Sequence, residues 1–525
     1  MENKEILQFF LEQGLLVDKD ILGLFSETKD IESVKRIIEG IKNQTQQKII
    51  TKETFSQNLE KVTSVFSSLP EDSKKSLEGL KIKLGLSIEI SKAVVSSQPA
   101  IGIENGKVIP SVEEAKIKVV SSSPAQGPKI GVEDFVRHFR NRFSELKGFL
   151  QERTELKKLT SIGKISGNQQ GISIIGMVLD KRITKNKNMI LDVEDLTGRI
   201  KVLINYNKKD IYEKAEEICM DSVIGFTGSG NSEIFFVNDF VFPDITLGER
   251  KKSPVEEYAV FISDLHFGSK KFYGDSFDKF VDYLNCKLPD TPEAAKIKYL
   301  IIGGDLVTGV GNYPNQEKDL EISDLEEQNI KMAEMLEKIR KDIKIVICPG
   351  NHEGVRLMEP QPVFDEKYAW PLYDLENVTL VENPSLINIG AREGFSGFNI
   401  LMYHGFSYPF YADTVPRLLK QRAMNSPDEI MKYLLKNRHL APTHTSVQSF
   451  PHEKDTHLIR TAPDIFFSGH THKSAVSYYN NILVISGSSW EGMTSYQEKF
   501  GNTPDRCKVP ILNLKTRAVK ILDFE

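Results

Sequence analysis

The chain has 525 residues, 40% hydrophobic and 27% charged, with a formal net charge of −5. That length exceeds what one core supports and predicts about two to four domains. No apolar run is long enough for a transmembrane helix, and the start Met-Glu-Asn-Lys-Glu lacks a signal-peptide pattern, so a cytoplasmic protein with no membrane partner is expected. Four dispersed cysteines (Cys219, Cys286, Cys348, Cys507) include no Cys-x-x-Cys pair, which fits a reducing compartment and argues against a zinc ribbon.

Residues 1–90 read as a helical interaction module. Ile6, Phe9, Phe10 and Leu11 begin an amphipathic stretch, and Ile31, Val34, Ile37, Ile38 and Ile41 recur at the spacing of one helix face. Residues 91–131 read as a flexible Ser/Pro linker, marked by Ser96-Ser97-Gln98-Pro99 and by Ser121 to Pro128, with the mixed segment Lys116–Val120 between them able to form a strand in a complex.

Residues 132–248 predict a helix followed by a barrel. After the helix at 132–157 come strands at Ile172–Leu179, Asn188–Glu194 and Arg199–Ile204, a helix at Lys209–Ile218, and strands at Val223–Thr227 and Glu233–Phe242, with Gly228-Ser229-Gly230-Asn231 as the hairpin turn. Three strands, a helix and two strands is the layout of an OB-fold. Such barrels bind single strands through basic loops and stacking rings. Lys181, Arg182, Lys185 and Lys187 supply the basic loop, with Tyr206, Phe235 and Phe236 as aromatic candidates. Adjacent Phe235 and Phe236 face opposite sides of a strand, so one of them belongs to the core.

From 249 to 525 the pattern is α/β. Helices at Ser276–Asn285, Asp324–Lys341 and Ser426–Asn437 alternate with apolar strands, and the strands Ala475–Tyr479, Leu483–Ile485 and Ile511–Leu514 close a two-sheet sandwich flanked by helices. Five of the strands run directly into residues able to hold a divalent metal. Tyr258–Ile262 leads to Ser263-Asp264-Leu265-His266, Tyr299–Ile302 to Gly303-Gly304-Asp305-Leu306, and Ile343–Ile347 to Gly350-Asn351-His352-Glu353. Ile400–Met402 leads to Tyr403-His404-Gly405, and Ile465–Phe467 to Gly469-His470-Thr471-His472. Five of the ten histidines fall in these motifs; His138, His439, His444, His452 and His457 do not, and read as ordinary surface or core residues.

Asp, His and Asn ligands without Cys point to two-metal hydrolysis of phosphate esters. Asp305 is the candidate to bridge two ions about 3.5–4 Å apart. Asp264 and His266 share one loop; Asn351, His404 and His470 offer an amide oxygen and two imidazoles to a second ion, and His472 can return to the first. His352 suits orienting the phosphate or protonating the leaving oxygen. The donor set favours Mn2+, ahead of Fe2+, Mg2+ and Zn2+.

These motifs together resemble the calcineurin-like metallophosphoesterase superfamily. The resemblance implies Asp264, His266, Asp305 and His472 on one metal, Asp305, Asn351, His404 and His470 on the other, and His352 as the catalytic histidine, with no position missing. An OB-fold ahead of such a domain is the order of the small (B) subunits of replicative DNA polymerases. The stretches Gly309–Glu317, Tyr433–Pro442 and Pro463–His470 resemble the same family. The resemblance covers about residues 155–525 well and the first 150 in general plan only. Because the eukaryotic members lack the ligands kept here, the chain is similar to the archaeal polymerase D (polymerase II) small subunits. That implies a 3′→5′ proofreading exonuclease acting on single-stranded or mismatched 3′ ends, in a heterodimer with a large catalytic polymerase subunit that carries any contact to a sliding clamp. Residues 309–317 and 433–450 are then candidates for the subunit interface or the DNA path. The competing readings are a scaffold subunit and a free-standing metallophosphodiesterase or repair nuclease.

Overall fold

The computed structural model describes most of residues 2–51, isolated positions at 54, 65–66, 77 and 80, and then 90–94, 115–121, 130–494, 497–498 and 503–525. It divides into two compact units, Met1–Ser91 with Arg517–Lys520 and Lys92–Thr516 with Ile521–Glu525. Each is taken by itself.

In the first unit, helices α1 (Glu2–Glu12), α2 (Lys19–Ser26) and α3 (Ile31–Thr45) accompany two short parallel strands, β1 (Leu16–Val17) and β2 (Ile49–Ile50). Val34, Ile37, Ile38 and Ile41 of α3 lie on one face and pack with Ile6, Phe10, Ile21 and Phe25 into one core.

After β3 (Ile90–Val94), whose last three residues begin the second unit, come β4 (Ile117–Val119) and α4 (Val132–Gln151). Of the stretch read as a tether, 95–114 and 122–129 lie outside the described residues. Its middle is sheet: Ile117–Val119 pairs antiparallel with a later strand (Ile387↔Val119, Ile389↔Ile117), satisfying backbone groups that an uncovered edge would leave unpaired.

Strands β5 (Gln169–Ile183), β6 (Met189–Asp195), β7 (Gly198–Ile204), β8 (Val223–Gly230) and β9 (Ile234–Val241) close into a barrel in the order β5-β6-β7-β9-β8, and helix α5 (Lys209–Ala215) separates β7 from β8. The expected turn at Gly228–Asn231 lies further on. Gly228 and Gly230 are strand residues opposite Val237 and Phe235, where an added Cβ would run into the β9 backbone, and the chain reverses after Gly230. Phe235 points into the barrel and Phe236 outward.

The remaining strands form two stacked sheets. The first contains β10 (Tyr258–Ile262), β11 (Ile297–Ile302), β12 (Lys344–Ile347) and β13 (Val378–Leu380), parallel to one another, and then β19 (Lys508–Asn513) and β20 (Val519–Asp523); its order is β13-β12-β11-β10-β19-β20-β3. The second, in the order β17-β18-β16-β15-β14-β4, uses β14 (Ser385–Ile389), β15 (Phe398–Met402), β16 (Ile465–Ser468), β17 (Ala475–Tyr479) and β18 (Ile482–Ser486). Burial on both faces goes with near-continuous apolar sequence in the central strands β10, β16 and β18. In β10, Val260 and Ile262 face the helices α6 (Gly274–Leu284) and α7 (Leu325–Glu337). Phe261, on the opposite face, meets Phe467 of β16 edge-on with ring centroids 5.1 Å apart, tying sheet to sheet. On the outer face of the second sheet, α8 (Pro427–Asn437) buries Ile430, Leu434 and Leu435.

Ionic contacts fasten the barrel and α4 to this sandwich. Glu217, just after α5, accepts from Arg417 Nε and Lys436 Nζ at 2.6 Å each. Asp455 is fully buried and accepts from Arg142 Nε of α4 at 2.6 Å and from His439 Nε2 at 2.9 Å. The Arg142 guanidinium holds the Asp455 carboxyl well below the usual carboxylate range, against the opposing effect of burial. Asp455→Ala leaves that guanidinium buried without its counter-charge, so it is expected to cost about 3–5 kcal/mol. Chemical denaturation followed by tryptophan fluorescence would measure it, and a loss under about 1 kcal/mol would contradict this account.

Candidate metal centre

Residues far apart in sequence converge here because the strands that carry them end at the same edge. β10, β11 and β12 run parallel in one sheet and β15 and β16 run parallel in the other. Asp264 and His266 follow β10, Asp305 follows β11, Asn351 and His352 follow β12, His404 follows β15, and His470 and His472 follow β16. Loops at the carboxyl ends of parallel strands are where open α/β sheets place their ligands.

The donor atoms fall into two groups that share Asp305. Asp264, His266, Asp305 and His472 form one and Asp305, His404 and His470 the other, with the atoms of each group within 4.8 Å of one another. His266 Nε2 and His472 Nε2 lie 3.0 Å apart, and Asp264 Oδ1 is 3.3 Å from His472 Nε2. Asp305 Oδ2 is 3.3 Å from His404 Nε2 and 3.8 Å from His266 Nε2, and Asn351 Oδ1 is 3.1 Å from His404 Nε2. Asp264 and Asp305 have no appreciable exposure. Two buried carboxylates ringed by imidazole nitrogens that point at each other form a donor set that divalent cations fit.

The backbone is bent to achieve this. Asp264 (φ +53°), His266 (+50°), Asp305 (+49°), His470 (+69°) and His472 (+57°) all sit in the left-handed region, which costs each non-glycine residue about 1 kcal/mol or more. The loops are laced together as they turn. Asp264 N–H donates to the Gly304 carbonyl and His266 N–H to the Asp305 carbonyl, each at 3.0 Å. His470 N–H donates to the Asp264 carboxylate at 3.0 Å. Gly304 (φ +97°) has no room for a Cβ, which would collide with the His404 ring.

Protonation follows the same crowding. Burial alone would lower His404, but the Asp305 carboxylate more than reverses that and raises it to about 10. His472 is raised by Asp264 against burial. Burial, then the charge of His404, pushes His470 down to about 3. His404 Nδ1–H donates to the Gly303 carbonyl at 2.9 Å, which directs Nε2 to the site.

The sequence reading missed three supporting residues. Glu353, deep in the fold, accepts from the N–H of Leu306 at 2.5 Å and of Gly350 at 2.6 Å, clamping the loops of Asp305 and Asn351 together. Burial and the nearby Asp305 charge push its carboxyl up to about 8. Asn383 Oδ1 accepts from His404 N–H at 2.9 Å, and its amide donates to Gln361 Oε1, while Gln361 Nε2 donates to the Gly350 carbonyl. Glu353 was visible inside its motif; Gln361 and Asn383 carry no sequence signal of their own.

The basic loop of the barrel divides. The amine of Lys181 donates to the carbonyls of Ala215, Glu216 and Ile218 at 2.7–3.1 Å, and burial lowers it to about 8. It therefore terminates α5 rather than facing a nucleic acid, which corrects its assignment. Arg182, Lys185 and Lys187 stay exposed. The Lys187 ammonium lies 5.4 Å from the centre of the half-exposed Tyr206 ring.

Ion binding must displace the proton held on His404, whose pKa is raised to about 10, and competes with protonation of His472, which Asp264 raises. Equilibrium dialysis against Mn2+ is expected to give two ions per wild-type chain and loss of both in Asp305→Ala. Affinity should fall as pH falls from 8 to 6, with protons released on binding by calorimetry in buffers of different ionisation enthalpy. A pH-independent affinity would contradict the assignment.

The family of B subunits of DNA polymerases alpha and epsilon matches residues 259–477, a span that includes every residue of the two donor groups. The DNA polymerase II small subunit of Methanothermobacter thermautotrophicus is 35% identical over 422 residues, covering 79% of this chain and 85% of its own length. That of Pyrococcus furiosus is 35% identical over 433 residues, covering 80% and 69%. That of Halobacterium salinarum is 33% identical over 399 residues, covering 75% of each. Among solved structures, one described as a novel archaeal phosphodiesterase aligns with 50% of this chain and 98% of its own at 12% identity and a TM-score of 0.25. Among the described residues no helix is long and apolar enough to cross a membrane.

Proposed function

The chain belongs to the family of archaeal DNA polymerase II small subunits, and from that premise we propose that it carries a two-metal 3′→5′ proofreading exonuclease paired with a large polymerase subunit. The observation that carries this reading is the pair of donor groups sharing the buried Asp305. In this reading Asp264, His266, Asp305 and His472 hold one divalent ion and Asp305, Asn351, His404 and His470 the other, with Mn2+ favoured. Such ions, when bound, supply Lewis-acid activation of water and neutralise phosphate charge.

The protein's own part is positioning. Asp305 fixes the spacing of the two groups, and Glu353 holds its loop against that of Asn351. His352 lies beside them with Nε2 4.0 Å from Asp305 Oδ2 and its side chain 15% exposed, so a phosphodiester can reach the ring. That supports a role for His352 in binding the phosphate and delivering a proton to the leaving oxygen.

The barrel, an OB-fold in this reading, contacts the single-stranded end through Arg182, Lys185 and Lys187, with Tyr206 and the outward Phe236 as stacking surfaces. The domain scheme that goes with it is a helical module at 1–90, a connecting segment at 91–131 whose residues 117–119 join the second sheet, helix and barrel at 132–248, and the nuclease domain at 249–525.

A 5′-labelled primer with a mismatched 3′ end, incubated with Mn2+, should be shortened stepwise by the wild-type chain, alone or with its large subunit, and not by Asp305→Ala. No shortening in either preparation would leave a scaffold role. Replacing Arg182, Lys185 and Lys187 together with alanine should weaken single-strand binding and reduce the slope of log affinity against log salt by about 2. An unchanged slope would remove the barrel hairpin from the DNA path.

A further inference from the structure

The loop 309–317 is a candidate for a subunit interface or a DNA path, yet two of its polar side chains, Asn312 and the buried Gln316, bond to one backbone oxygen beside the site. His352 Nδ1 lies 2.7 Å from the carbonyl oxygen of Thr308. A carbonyl can only accept, so Nδ1 carries the proton, and Nε2 is the nitrogen left to face the metal groups. That same oxygen also accepts from Gln316 Nε2 at 2.9 Å and from Asn312 Nδ2 at 3.0 Å.

The acceptor is held in place from several directions. Thr308 N–H donates to the Phe267 carbonyl at 2.8 Å, next to His266. Gln316 Oε1 accepts from Asn312 N–H at 2.7 Å, closing the loop on itself. Behind it, Gln328 of α7 accepts from Gly309 N–H at 2.9 Å and donates to the Ile322 carbonyl at 2.7 Å. Gln316 and Gln328 are buried, with 1% and 0% exposure. Burying two primary amides is costly unless their hydrogen bonds are made, and here the bonds are spent on the backbone that holds one histidine.

We infer that Gln316, backed by Gln328, is a positioning residue that acts through the Thr308 carbonyl to hold His352 with Nε2 directed at the scissile phosphodiester. This rests on the nuclease reading above. Gln316 itself touches no substrate, so its effect should vanish once His352 is gone.

The test is a double-mutant cycle on the full chain, assembled with its large subunit if activity requires it, using the labelled primer and Mn2+. Gln316→Leu should lower kcat by about 10- to 100-fold with KM little changed, the size of effect seen when a supporting partner is removed. His352→Ala should lower it further, and the double variant should match His352→Ala alone. Mn2+ binding by dialysis should be unchanged in Gln316→Leu. Wild-type turnover in Gln316→Leu overturns the inference. So does an equal loss in the His352→Ala background, or loss of Mn2+ binding, because either shows a general structural role. An inactive wild type, or a fully active His352→Ala, instead takes down the nuclease reading and the inference with it.

Discussion

Everything at this centre depends on keeping two aspartates, Asp264 and Asp305, charged in a place that water does not reach. An isolated carboxylate in such a place would take up a proton rather than stay ionised. Here the carboxylates keep low pKa values because imidazoles surround them, and His404 and His472 are correspondingly raised. The raised imidazoles of His404 and His472 supply the counter-charge that lets both carboxylates stay ionised. Its geometric cost is the run of five left-handed ligands, several kcal/mol of local strain in total by the usual cost per residue. The two-sheet core and the clamp made by Glu353 offset that strain.

The two sheets make the convergence possible. A single parallel sheet delivers ligands along one edge, but a bridged pair of ions needs donors from two sides. Packing β10–β12 of one sheet against β15 and β16 of the other, with Phe261 against Phe467 between them, brings two rows of strand ends to one line. Barrel and α4 are then fixed to this block by Glu217 and Asp455 rather than by loops alone. The barrel surface thus keeps a defined distance from the donor groups.

Much of this was legible in the sequence because apolar strands ending in Asp, Asn or His are a local signal. Asp264, His266, Asp305, His404, His470 and His472 come together as the motifs implied. What sequence could not show is where a side chain goes when its partner is distant. Lys181 looks like a DNA-facing lysine until the last turn of α5, some 35 residues on, takes its amine. The glycines after Thr227 read as a turn because glycine favours turns, whereas here they make room for β9. The strands β13 and β14 and the supports Gln361 and Asn383 lie in segments with no strong periodicity, and only the sheet they join gives them a role. Lys116–Val120 reads as a strand only against a partner, and the partner is the β14 edge of this chain's own second sheet.

The histidines show most directly how environment divides one residue type into two uses. In His439, Nδ1 accepts from Ala441 N–H and Nε2 donates to Asp455, and burial together with the Arg142 charge pushes its pKa down to about 3. His138 likewise spends Nδ1 on the His452 carbonyl, and its Nε2 faces Arg142 at 3.3 Å. With both nitrogens committed, such a ring can only hold the fold. His404 and His352 are each tied through Nδ1 to a backbone carbonyl, of Gly303 and Thr308 respectively, and each turns Nε2 toward Asp305. One nitrogen anchored to the main chain and one aimed at the shared carboxylate gives a ring that is both rigid and available. That division separates His404 and His352 from His439 and His138.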